Sequence, residues 1–438
     1  MDAHVWVTRK MKLSRRQVLL ATGATVLPVS LFGATTQVTL QPGPTVAKIG
    51  QHRLEMLGFN GSVPGPEIRL RQNEKLNVQV ENGLDDGTLV HWHGIRLPNA
   101  MDGVNVLTQD PIAPGDVFNY RFSVPDAGTY WYHSHYLSYD QVSRGLFGPL
   151  IVEESVPPDV DRDITVMLFD VLLDDSGNFD DEFRPEHFAT AGRLGGVVTA
   201  FVSENEVLLG DRVRLRLINP SLDRVYSVSI SGVSGFLVAY DGMPFARPEP
   251  LSTLVLAPGQ RADVIADVTH KIAILETSGA RGIEMAQIAV SGQRKKRSRA
   301  ISALPANAHP RLGAIKHKAK LVMQGGAGGK SHSGTATWAF NNQSGLPSKP
   351  LISARKGDTV QIKLVNDTAF AHGIHLHGHH FWEVSEQGER TYFRDTTLVE
   401  AGDTRDIICV LDNPGAWLLH CHMLSHQADG MATWLRVR

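Results

Sequence analysis

At 438 residues the chain exceeds the ~250–300 residues that one hydrophobic core can serve, while 42% hydrophobic and 20% charged residues are the proportions of an ordinary globular protein. Lys+Arg 43 against Asp+Glu 45 leaves a net charge of -2, which removes the electrostatic case for a nucleic-acid or anionic-membrane partner. Two cysteines build neither a disulfide framework nor a Cys-rich metal site, so any metal chemistry rests mainly on the nineteen histidines.

In chain order the first feature is an address. Ser14-Arg15-Arg16-Gln17-Val18 places an arginine pair before a moderately apolar stretch that ends at Leu31-Phe32-Gly33-Ala34. This resembles a twin-arginine signal peptide, expected over residues 1–36. Gly23, Pro28 and several hydroxyl residues interrupt the stretch, which falls short of the ~20 apolar residues of a membrane anchor. Met11, four residues before Arg15, is an alternative translation start to Met1. The mature protein is then periplasmic, delivered by the twin-arginine export machinery, with no membrane contact after export.

Three blocks align without gaps: Asn73 to Asn82, Gly210 to Asn219 and Gly357 to Asn366. Each opens on turn residues, alternates apolar and polar positions and closes on Asn, the pattern of a half-buried strand running into a turn. A repeated β unit in triplicate, with many Gly/Pro turns and few helical patterns, predicts an all-β chain of β-sandwich domains. The expected organisation is 37–156, 157–300 and 336–438, with 301–335 as a linker. The Arg294–Arg299 run beside that linker reads as solvated surface.

A second repeat relates the outer domains only. Gly115 leads through Phe122 and Gly128 to His133, and Gly402 leads at equal intervals through Cys409 and Gly415 to His420. The middle domain keeps the turn at Pro258-Gly259 but has Thr277 where the histidine would fall. Cys409, matching Phe122, is expected to be a core residue.

Four His-X-His triplets lie on these repeats: His91-Trp92-His93, His133-Ser134-His135, His375-Leu376-His377 and His420-Cys421-His422. On a strand, positions i and i+2 share a face, so each triplet offers two imidazoles to one site. Eight imidazoles on neighbouring strands call for a polynuclear metal centre. His372, Cys421, His426 and Met431 add two imidazoles, a thiolate and a thioether, the donor set of a blue-copper electron-transfer site. Thr88 and Ser134 stand where His372 and Cys421 would repeat, so the first domain lacks a second such site. His4, His52, His187, His270, His309, His317, His332, His379 and His380 read as structural or surface residues.

Through these motifs, which span nearly the whole mature chain, the sequence resembles the multicopper oxidase family, in particular its bacterial three-domain laccase-like and cuprous oxidase-like members. The resemblance implies three cupredoxin-like Greek-key β-sandwich domains and four coppers. His372, Cys421, His426 and Met431 would bind the type 1 copper, His91 and His375 the type 2 copper, and His93, His133, His135, His377, His420 and His422 the type 3 pair. His420-Cys421-His422 would carry electrons from the type 1 site to the cluster. Asp102 matches the family's acidic residue beside the cluster and is expected to relay protons. Many bacterial members carry an acid just before the histidine matching His426, whereas this chain has Ser425.

The implied reaction is one-electron oxidation of a small reducing substrate, a phenol or aromatic amine, at an exposed type 1 edge near His426, coupled to four-electron reduction of dioxygen to water. Cuprous oxidation in copper detoxification is the alternative; its enzymes commonly carry a Met-rich insertion, while only ten Met are spread through this chain. A copper-free periplasmic scaffold of the same fold is disfavoured by the intact ligand set. Copper nitrite reductase fails on the number of triplets and domains. The expected form is a monomer.

Overall fold

Each of the three aligned blocks becomes a strand in the computed structural model, which describes residues 35–294, 299–328 and 337–438. The arginine-pair segment up to Ala34, most of the Arg294–Arg299 run, Gly329, His4 and His332 lie outside the described residues. Of the expected signal span, Thr35 and Thr36 are described, and they open a strand, Thr35–Leu40.

The three block strands, Lys75–Glu81, Arg212–Ile218 and Asp358–Asn366, sit in equivalent surroundings. Each has a parallel neighbour on one side, respectively Thr35–Leu40, Arg162–Val171 and Ile315–Gly325. Each has an antiparallel neighbour on the other, respectively Val117–Ser123, Arg261–Glu276 and Thr404–Leu411. The register is shared too: Leu76 lies opposite Phe122, Val213 opposite Ala266 and Val360 opposite Cys409. Cys409 is fully buried at this position, as a small apolar residue in a strand core would be.

The asparagine closing each block has one job in all three copies. Asn82 Nδ2 donates to the Ile112 carbonyl, Asn219 Nδ2 to that of Leu256 and Asn366 Nδ2 to that of Val399, while each Oδ1 accepts the N–H two residues on. These Asx turns let the chain leave the sheet without stranding buried backbone groups.

Two expectations change. Ile315–Gly325 lies inside the stretch expected as a linker, yet it is a full member of the third domain's larger sheet. Its Gly- and Lys-rich neighbours obscured an alternation in which Lys316, Lys318 and Lys320 face solvent while Leu321 and Met323 are buried. The middle block strand is buried along its whole length rather than on one face. Its arginines are neutralised by ion pairs: Arg214 with Glu154 at 2.7 Å and Asp263 at 2.5 Å, and Arg216 with Asp163 at 2.6 Å.

The second sheets of the outer domains carry the triplets. In the first domain the order is Ile68–Arg71, Phe147–Glu153, Gly128–Ser134, Val90–His93. In the third it is Ile352–Ala354, Ala432–Val437, Gly415–Cys421, His372–Leu376, Thr396–Val399. One apolar cluster, including Val90, Trp92 and Tyr132 from the first domain and Ile374, Trp417 and Leu419 from the third, runs through both, and the middle domain has its own.

Candidate metal centre

Strand pairing sets the histidines side by side. Val90–His93 runs antiparallel to Gly128–Ser134 with His91 opposite His133, and His372–Leu376 runs antiparallel to Gly415–Cys421 with His375 opposite His420. The repeat is thus reproduced in space. The two pairs meet across the boundary between the first and third domains, where the His93 and His375 rings stack at 3.8 Å and the His91 and His377 rings lie 3.9 Å apart.

The eight imidazoles sort into groups whose nitrogens all lie within 4.8 Å of one another: His93, His133 and His422; His135, His377 and His420; and His91 with His375, joined by His93. Each of the first two triads draws from three triplets and both outer domains. That division of the six expected type 3 ligands was beyond the sequence.

Hydrogen bonds orient the rings. His91 Nδ1 donates to the Asp102 carbonyl at 3.0 Å, His375 Nδ1 to the Asp395 carbonyl at 3.1 Å, and His133 and His420 Nδ1 to the Ser134 and Cys421 carbonyls at 2.8 Å. His93 is reversed, with Nε2 donating to Asp395 Oδ1 at 3.2 Å. His377 Nδ1 donates to Asp102 Oδ2 at 3.0 Å. What remains is a set of buried nitrogens with no hydrogen-bond partner among the described residues: Nε2 of His91, His133, His135, His375 and His422, and Nδ1 of His93. His377 and His420 turn their Nε2 atoms on each other at 3.1 Å. An unmet buried polar group costs about 1–3 kcal/mol, so cations bound between the rings would satisfy these nitrogens and stabilise the arrangement.

Burial also keeps these groups in their ligating form. It holds His93, His133, His377, His420 and His422 well below the ordinary imidazole value, lowers His375 and pushes His135 down to about 3. A neutral imidazole is what a metal binds.

The mononuclear set is equally compact. His372 Nδ1 and His426 Nδ1 are 3.1 Å apart, and they lie 3.5 and 3.8 Å from Cys421 Sγ. Thr368 Oγ1 holds His372 Nε2 at 2.9 Å, and the Thr190 carbonyl accepts His426 Nε2–H at 2.8 Å, so both rings present Nδ1. Burial drives the Cys421 thiol well up and His426 down to about 4. A thiol in this setting ionises when a metal takes the proton's place. Met431 is fully buried, and its carbonyl accepts the Cys421 N–H at 3.1 Å. Met423 brings a second thioether, with Sδ 3.8 Å from Cys421 Sγ and accepting the Gly373 N–H at 3.1 Å.

Asp102, 1% exposed, touches both the His91 and His377 rings. Ser425 is buried beside His426, and its backbone N–H donates to the carboxylate of Asp223, a middle-domain residue. One expectation is corrected: His426 has no exposed edge. Its relative exposure is 0%, with Trp338 packed against the ring at 4.1 Å and a 35° tilt, and Thr190 across its Nε2.

Several contributors escaped the sequence. Asp395, fully buried, binds His93 through its carboxylate and His375 through its carbonyl, and is itself clamped by Arg261 of the middle domain at 2.9 and 2.7 Å. Gly259, at φ +86°, sits so close to the cluster that a Cβ there would lie 2.8 Å from His93 Cε1 and 3.0 Å from the His422 ring. The middle domain's turn, recognised from the repeat as lacking histidines, has become a wall of the site.

Comparison with known proteins agrees with this geometry. The multicopper oxidase family profiles match residues 43–156, 172–273 and 316–438, most of the described chain. The crystal structure of Lac15 from a marine microbial metagenome superposes with a TM-score of 0.80 at 44% identity, covering 92% of this chain and 100% of that one.

The chain is a multicopper oxidase.

Among curated relatives of this multicopper oxidase, multicopper oxidase MmcO of Mycobacterium tuberculosis is 28% identical over 92% of this chain and 87% of its own length. Laccase-2 of Botryotinia fuckeliana is 27% identical over 89% and 79%. The chain is thus a copper-dependent oxidoreductase that uses dioxygen, built from three cupredoxin-like domains.

Proposed function

We propose that the two triads, His93, His133, His422 and His135, His377, His420, hold the type 3 coppers, that His91 and His375 hold the type 2 copper, and that His372, Cys421, His426 and Met431 hold the type 1 copper. The observation that carries this reading is the convergence of buried ligand atoms within 4.8 Å of one another in each histidine group, with several of the cluster's ring nitrogens left without partners among the described residues. Bound copper would supply one-electron uptake from a reductant and four-electron reduction of dioxygen. Four reductant molecules each lose one electron, and one dioxygen takes up those four electrons with four protons to give two waters.

The chain's own residues provide the rest. Cys421 is covalently flanked by His420 and His422, so one strand links the mononuclear set to both triads. Asp102 lies between His91 and His377 and serves the proton supply. Arg261 and Asp395 hold His93 and His375 in place. The domains run 37–156, 157–300 and from Ile315 to the C-terminus.

The substrate class is phenols or aromatic amines, in keeping with the relative named a laccase. The buried His426 favours a second reading, oxidation of cuprous ion, which needs no aromatic docking edge. The arginine-pair motif supports export by the twin-arginine route to the periplasm as a monomer, and no helix among the described residues is long and apolar enough to cross a membrane.

Copper loading followed by metal analysis and a visible spectrum tests the ligand assignment. About four coppers and a strong band near ~600 nm, the signature of thiolate–copper ligation, are expected; a colourless protein without oxygen uptake refutes it. Oxygen uptake on a phenol with and without added Cu(II) separates the substrates, strict dependence on added copper favouring the cuprous reading.

A further inference from the structure

Part of the cover over the type 1 histidine comes from the middle domain. The helix Pro185–Ala189 and the residues after it lie over helix Leu424–Ala428, which carries His426. The Thr190 carbonyl takes the His426 Nε2–H, and Trp338, packed at a tilt against the same ring, donates its indole N–H to the Phe188 carbonyl. A reductant therefore meets residues 188–193 before it can meet the imidazole.

One side chain fastens this segment to the helix beneath it. Asp223, 2% exposed, accepts the Arg193 N–H on Oδ2 at 2.7 Å and the Ser425 N–H on Oδ1 at 3.2 Å. It thus holds the covering strand of chain with one oxygen and the His426 helix with the other. The neighbouring Leu222 carbonyl takes the Leu424 N–H at 3.0 Å. Gly192, at φ +100°, lets the covering chain come down onto the carboxylate; a Cβ there would lie 2.3 Å from Asp223. The Arg193 side chain, stacked over Phe179 at 4.9 Å and Phe183 at 4.8 Å, anchors the far end.

We infer that residues 185–193 are a specificity-determining cover over the type 1 site, and that Asp223 is the positioning residue that keeps it shut. Small reductants that exchange electrons across a closed surface are served, and bulky phenols that must approach the imidazole edge are held back. The stoichiometry of the oxidase reaction is unchanged; the cover decides which reductants reach it. This inference rests on the type 1 reading of His372, Cys421 and His426.

The test compares the copper-loaded full chain with its Asp223→Ala variant by two measurements. In the variant, hydrogen exchange in peptides spanning 188–193 and 424–428 is expected to quicken at least tenfold, a factor worth about 1.4 kcal/mol, while the strand His372–Leu376 keeps its protection. In steady state, kcat/KM for a bulky phenol rises at least fivefold, whereas that for ferrocyanide, a small outer-sphere reductant, stays within twofold. A changed type 1 potential would move both substrates together. Unaltered exchange, or two substrates moving in parallel, overturns the inference. Gly192→Ala presses on the same contact from the cover side and must reproduce both results, which keeps the test decisive if Asp223→Ala fails to fold. Loss of the ~600 nm band in the parent protein would refute the ligand reading itself; an intact band with an unmoved substrate ratio refutes the cover alone.

Discussion

Arg261→Met probes how far the metal centre depends on a domain that contributes no ligand. The guanidinium is fully buried and makes two hydrogen bonds to Asp395, at 2.9 and 2.7 Å, and one each to the Thr129 and Gly259 carbonyls at 3.0 Å. It therefore touches all three domains at one point. Methionine fills similar volume but leaves Asp395 in a site with 0% exposure, supported by Thr396 Oγ1 at 2.7 Å and His93 Nε2 at 3.2 Å. Removing one partner of a buried ion pair costs about 3–5 kcal/mol. With an unfolding entropy of ~2.1 cal/mol/K per residue over the folded chain, that corresponds to a fall in Tm of about 4–6 °C. The bereft carboxylate gains a proton and stops accepting cleanly from His93, so copper held by the His93 triad is lost first. Thermal unfolding and metal analysis of the loaded variant check both effects. The double variant Arg261→Met/Asp395→Leu is expected to regain stability, because the buried charge is gone, without regaining copper. An unchanged Tm together with full copper content would refute the argument that the middle domain holds the cluster through this pair.

Two further outcomes follow from the site. Asp102→Asn removes the carboxylate between His91 and His377 while leaving the mononuclear set untouched. Turnover should slow by about 10²–10⁴-fold, the usual worth of a positioned proton-transfer group, with the visible band intact; normal turnover rejects the relay role. The copper-free protein should be acid-labile. His135, held at about 3, and His426, at about 4, refuse protons that the unfolded chain accepts below pH ~6.5. Stability is therefore full above that pH and falls as pH drops towards 4, by up to about 1.4 kcal/mol per pH unit for each group. Urea midpoints measured from pH 7 to pH 4 check this, and a flat profile contradicts it.

The repeat and the ligand types were legible in the linear order because both depend on local geometry. A strand places i and i+2 on one face whatever surrounds it, so His91 and His93, or His420 and His422, were committed to a shared site before any fold was known. The equal intervals from Gly115 to His133 and from Gly402 to His420 likewise carried the register, since a strand slipped by one residue turns every side chain to the other face. The strand Ile315–Gly325 was hidden because its composition resembles a linker and its alternation is short.

Other features had no local signal at all. Asp395, Arg261, Thr190 and Asp223 are tied to the histidines they serve by no spacing rule, and the repeat that marked Gly259 as a turn did not place it against the cluster. The sequence alone determined which atoms could bind copper and in which domains they stand. Only the tertiary structure decided how the six histidines expected at the type 3 pair divide into two triads, that the middle domain walls and clamps the cluster, and that His426 is covered rather than exposed. The physical reason is that ligand identity is a property of side chains on a strand, whereas ring orientation, burial and access are set by whatever packs against that strand from elsewhere in the chain.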